Sequence, residues 1–157
     1  MAIKTGVVAP GFTLYDSDKN KVSLEDYKGS NVLLLFYPLA FSRVCTAELC
    51  SIRDSIAAYN SMNAIVLGIS VDSLYVLNRF KAEEHLNFSL LSDFNKEVSG
   101  AYDVLYEVFP GFEMRGVSKR AVILIDKTGV VRYIEECASP GDMPDFKVIK
   151  ENLTLLN

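Results

Sequence analysis

Tryptophan is absent from these 157 residues, histidine occurs once and cysteine three times. His85 reads as the end of a helix, and its neighbours offer no partner at metal-ligand spacing. No Cys-x-x-Cys pair exists, which excludes the common structural zinc pattern and argues against a thioredoxin-type dithiol motif. No metal and no cofactor are therefore expected. No apolar run approaches the roughly 20 residues that span a bilayer. The opening Met1-Ala-Ile-Lys-Thr-Gly lacks a charged segment followed by a long apolar one, so no signal peptide is read and cytoplasmic residence is expected. Basic patches are missing too. Twenty acidic against sixteen basic residues give a net charge of −4, which suits neither nucleic acid nor an anionic membrane as partner. An odd number of cysteines, in a chain too large to need staples, leaves catalytic or redox chemistry or plain buried thiols.

Half of the residues are hydrophobic, with no repeat or low-complexity segment, so a single domain over 1–157 with a sizeable core is expected. The most informative stretch runs from Val32 to Arg53. Val32 to Tyr37 is continuously apolar, as in a strand buried on both faces, and Pro38 stops it because proline has no N–H for the ladder. Ser42 is a helix N-cap candidate. From Cys45, apolar residues recur at Leu49, Ile52, Ile56 and Tyr59, which marks one helix face and predicts a helix from Cys45 to about Met62. Cys45 thus sits at a helix start, where free N–H groups and the helix dipole favour an anion. For a cysteine that anion is the thiolate, its nucleophilic form.

Before this stretch, residues 9–14 and 22–24 alternate around a turn-rich Asp16–Lys21 and predict a hairpin, followed by a helical turn closed by Gly29. After it come an apolar strand, Ala64–Ser70, and a helix capped by Asp72 or Ser73 and carrying Val76, Leu77, Phe80 and Leu86. A short strand Ser89–Leu91, a short helix Asn95–Tyr102 and an irregular 103–117 follow. Arg120–Asp126 and Val130–Glu135 read as strands joined by a tight turn, and Phe146, Ile149, Leu153 and Leu156 mark a last amphipathic helix. Two buried strands joined by a long helix make a right-handed parallel crossover. The expected fold is α/β, a thioredoxin-like mixed sheet flanked by helices with an N-terminal β-hairpin. The nucleophile candidate lies at the carboxyl end of a central strand.

Pro38-Leu-Ala-Phe-Ser42-Arg-Val-Cys45 matches Pro-x-x-x-Thr/Ser-x-x-Cys and resembles the active-site signature of the peroxiredoxins. Ala9-Pro-Gly-Phe-Thr-Leu and Ser118-Lys-Arg120-Ala-Val-Ile-Leu-Ile-Asp126 resemble that family's N-terminal strand and its arginine-bearing strand. The five-residue spacing of Cys45 and Cys50 resembles the bacterioferritin comigratory protein branch. Ser42 replaces the commoner threonine and Arg43 a small residue or proline; the hydroxyl is kept.

The resemblance implies a thiol peroxidase acting on hydrogen peroxide and organic hydroperoxides through a cysteine sulfenic acid. It implies Cys45 as the peroxidatic thiol and Arg120 and Ser42 as groups that activate it and hold the peroxide, with Pro38 limiting water. It also implies Cys50 as the resolving thiol, thioredoxin or a similar thiol as reductant, and a homodimer formed around Phe41 and Phe109-Pro-Gly-Phe112. The strand bearing Arg120 is expected beside the one ending at Tyr37. Glu48 is read as stabilising the first helical turn, with a network to Arg120 or Arg53 as the alternative, and Cys137 as a bystander. A disulfide oxidoreductase on the same fold would want the missing Cys-x-x-Cys. A redox-sensing module remains a competing class that fold does not separate.

Overall fold

A computed structural model describes residues 3–157. The strands are β1 (Thr13–Asp16), β2 (Lys21–Ser23), β3 (Asn31–Phe36), β4 (Ala64–Ser70), β5 (Ser89–Ser92), β6 (Ala121–Ile125) and β7 (Val131–Glu136). They form one mixed sheet in the order β2-β1-β5-β4-β3-β6-β7. β3 runs parallel to β4 and antiparallel to β6, and β4 runs parallel to β5. The predicted hairpin pairs β1 with β2. It starts later than the alternation indicates: Pro10 has no N–H to give, and Ala9 instead donates to Gly129 O.

All six residues of β3 are buried. Leu33, Leu35 and Tyr37 point to one face, and Val32, Leu34 and Phe36 to the other. Both faces are covered, which is why the run is apolar without alternation. Truncating one of these leucines to alanine should cost about 2–5 kcal/mol. Among the described residues, five α-helices pack around the sheet, α1 (Arg43–Asp54), α2 (Ile56–Ser61), α3 (Leu74–Glu83), α4 (Glu97–Ala101) and α5 (Phe146–Leu155), besides a 3-10 turn at Leu24–Tyr27. α1, α3 and α5 bury Leu49, Ile52, Leu77, Phe80, Ile149 and Leu153 against the face that carries Tyr37. None of the described helices is long and apolar enough to cross a membrane.

The single helix expected from Cys45 to Met62 is two. Ser55 leaves helical geometry (φ −111°, ψ 9°), and its N–H bonds Ile52 O in a tightened last turn. Asn87 Nδ2 donates to Arg53 O at 3.2 Å and satisfies an end carbonyl from outside. The apolar spacing runs on through the break because Ile56 and Tyr59 join the same core as Leu49 and Ile52. Ser73, not Asp72, caps α3, accepting from the Val76 N–H.

Candidate active site

Pairing of Phe36 with Ala121 brings the start of β6 level with the end of β3, so Arg120 arrives beside Tyr37 as expected. Between Pro38, which is buried, and Ser42 the chain reverses to enter α1. Phe41 makes the turn in the left-handed region (φ 68°), a strained place for an aromatic residue. Its ring packs on Phe80 with centroids 5.0 Å apart. Asp72, at the carboxyl end of β4, pins this loop. Its Oδ2 accepts from Ala40 N and from Ser70 Oγ, each at 2.7 Å. Gly68 on β4 leaves room beneath: a Cβ there would lie 2.9 Å from Leu90 Cδ2 and 3.4 Å from the Tyr37 ring.

Cys45 lies in the first turn of α1 and is 1% exposed. Nη1 and Nη2 of Arg120 each stand 3.4 Å from its sulfur. Nη1 also donates to Glu48 Oε1 at 2.8 Å, and Nη2 to Pro140 O at 2.8 Å. A guanidinium has five N–H donors. Four are engaged here, and the fifth, on Nε, is buried without a partner, as are Glu48 Oε2 and the Tyr37 hydroxyl. Glu48 is therefore no exposed companion of the helix dipole. It is fully buried, one turn beyond Cys45 on the same helix face, and forms an ion pair with Arg120. Burial pushes Glu48 up to about 7 against the pull of Arg120. Burial also disfavours charge on Arg120, but Glu48 and Cys45 outweigh it and hold the guanidinium more firmly protonated than usual. Burial raises the Tyr37 phenol well above its ordinary value.

Ser42 occupies the N-cap position without acting as a side-chain cap. Its hydroxyl donates to Leu39 O at 2.8 Å, and its carbonyl takes the Thr46 N–H and hydroxyl. Cys50 stands apart from the Cys45 cluster, half-buried on another flank of α1, with Glu84 Oε2 3.4 Å and Arg53 Nη1 3.6 Å from its sulfur. Cys137 is buried, and its N–H bonds Arg120 O. Burial, then Glu135, push its thiol up to about 11. All three cysteines are free thiols. Asp72 and the Pro140 carbonyl escape the sequence reading, since both act through partners distant along the chain. The one local signal was Ser70-x-Asp72 at the end of a parallel strand.

Residues 5–134 match the AhpC/TSA family. The chain is 36% identical over 156 residues to peroxiredoxin Bcp of Escherichia coli strain K12, covering 99% of this chain and 94% of that protein. It is 33% identical over 153 residues to a mitochondrial thioredoxin-dependent peroxide reductase of Drosophila melanogaster, covering 93% of this chain and 61% of the relative. Its fold superposes on the reduced 2-Cys peroxiredoxin of Plasmodium vivax with a TM-score of 0.86 at 30% identity, over 97% of this chain and 81% of that one. Sheet order, a buried cysteine at a helix start under an arginine, and these similarities agree: the chain belongs to the AhpC/TSA family and is a peroxiredoxin.

Proposed function

We propose that Cys45 is the peroxidatic nucleophile of this thiol peroxidase, with Arg120 as its activating and peroxide-positioning partner. One observation carries the reading: two guanidinium nitrogens lie 3.4 Å from a buried sulfur in the first turn of a helix. A fixed cation and the helix start both favour negative charge on that sulfur. The thiolate attacks one peroxide oxygen, the O–O bond breaks, and the second oxygen leaves as water or alcohol once protonated. Cys45 is left as sulfenic acid. Charge grows on the leaving oxygen, and Arg120 N–H groups are preorganised donors beside it. Ser42 joins them if its hydroxyl turns from Leu39 O, and buried Pro38 keeps water from the sulfur.

Cys50 then resolves the sulfenic acid as an intramolecular disulfide. Five residues along a helix separate two Cα atoms by roughly 8.5 Å, beyond the approximately 7 Å that a disulfide spans, so the start of α1 must unwind first. Thioredoxin or a similar thiol then reduces the disulfide, and hydrogen peroxide and organic hydroperoxides are the substrates. A reducing cytoplasm, a homodimer built on the exposed Phe41 and Phe112, and one thioredoxin-like unit over the whole chain complete the reading.

Mass spectrometry after one equivalent of hydrogen peroxide tests it. The expected product is a linked Cys45–Cys50 peptide. A Cys45–Cys137 link, or a sulfenic acid that never converts to the Cys45–Cys50 disulfide, would make Cys50 a bystander.

A further inference from the structure

Cys50 is fastened. Its thiol donates to Glu84 Oε2 at 3.4 Å, at the C-terminal end of α3. Arg53, three residues on, holds Nη1 3.6 Å from the same sulfur and donates from that nitrogen to Glu84 O at 2.6 Å. Asn87 Nδ2 closes the set on Arg53 O. These bonds tie the second half of α1 to the α3–β5 connection. None of them touches the Cys45–Arg120–Glu48 cluster.

We infer that Glu84 is a positioning residue that delays resolution, holding Cys50 as a fastened thiol so that the sulfenic acid on Cys45 outlives the step that consumes peroxide. The inference rests on Cys50 being the resolving thiol. Resolution joins Cys45–S–OH and H–S–Cys50: an S–S bond forms, the S–O bond breaks, and the hydroxyl leaves as water with the proton from Cys50. Cys50 is oxidised as the Cys45 sulfur is reduced. The attacking form is the thiolate, and its surroundings oppose it. Burial and then the bond to Glu84 push the Cys50 thiol up, Arg53 pulls it down, and the charges of Glu84 and Asp54 push it up again. Glu84 therefore acts twice, against deprotonation and against the departure of Cys50 from its seat. The consequence is a choice of exits. A sulfenic acid that lasts can meet an external thiol, or a second hydroperoxide that oxidises it to sulfinic acid and leaves as water or alcohol.

The test is Glu84→Gln, which keeps shape and an acceptor oxygen but loses the charge. Reduced full-length protein is mixed with one equivalent of hydrogen peroxide and quenched at intervals into a 1,3-dicarbonyl trap for sulfenic acid. Intact mass then follows trapped Cys45 and the disulfide. Glu84→Gln should shorten the sulfenic acid's lifetime about five-fold or more and make Cys45 harder to overoxidise. In a Cys45→Ser background the same change should let Cys50 alkylate at lower pH, whereas Glu84→Asp, which disturbs the packing but keeps the charge, should not. An equal or longer lifetime in Glu84→Gln overturns the inference and makes the carboxylate neutral or a base that assists. If wild-type protein forms no Cys45–Cys50 disulfide, the resolving role falls first and the inference with it. Wild-type protein supplies a second check: its resolution rate should keep rising with pH up to and beyond the ordinary thiol range, because burial and Glu84 hold the Cys50 proton on. A flat profile contradicts the inference.

Discussion

Arg120 is placed between the Cys45 sulfur, the Glu48 carboxyl and a backbone carbonyl, and its geometry matters as much as its charge. Lysine would keep the charge but lose the fork that reaches Cys45, Glu48 and Pro140 together. Arg120→Lys should lower the rate of peroxide reduction by 10²-fold or more, on the order of losing one oxyanion donor. An unchanged rate in single-turnover assays would make Arg120 structural. Glu48 gives a prediction about pH. Burial lifts it from the ordinary 4.5 to about 7, so between those values the native state keeps a proton that the unfolded chain has lost. Stability should then fall as pH rises through that window, by on the order of 3 kcal/mol. Asp126 acts elsewhere: bonds from Thr128 and Arg132 outweigh its burial and hold it well below the ordinary 3.8, so its stabilisation is lost only in stronger acid. Urea midpoints at about pH 5 and about pH 8 check this; Glu48→Gln should remove most of the difference, and an equal difference in both proteins would refute it. The place of Cys45 at a helix start was legible from residue spacing, while Pro38 and Arg120 were singled out as site residues only through the resemblance to the peroxiredoxin signature. The inward turn of Glu48 was not legible, since three residues past a helix-start cysteine a glutamate reads equally as a dipole partner. What decides is the arrival of Arg120, 72 residues later.

At the scale of elements, the strands were legible because burial on both faces leaves only apolar residues from Val32 to Phe36 of β3 and throughout β6. The break between α1 and α2 was hidden because spacings of three and four persist across Ser55, while the bond that satisfies the freed Arg53 carbonyl comes from Asn87, distant along the chain. That bond and those of Arg53 anchor the end of α1, while its start is held by Ser42 O and the packing around Cys45. Disulfide formation should therefore melt the first turns and spare the end. Hydrogen exchange of the oxidised protein should quicken in the amides of residues 43–50 and stay slow in α2. Equal exchange in both redox states would mean that the disulfide forms without unwinding.

At the scale of the molecule, apolar residues stay exposed near the active-site end: Phe112 is 92% exposed and Phe41 47%. Sedimentation at micromolar concentration should give a dimer, and Phe112→Asp should shift it toward monomer. A wild-type monomer would leave that surface to another partner. Whether Cys45 carries the chemistry is decided by stopped-flow mixing of reduced protein with hydrogen peroxide. Wild-type protein should consume one peroxide per chain in a fast phase, and Cys45→Ser should show none. A fast phase that survives in Cys45→Ser, or is missing from wild type, would contradict the account.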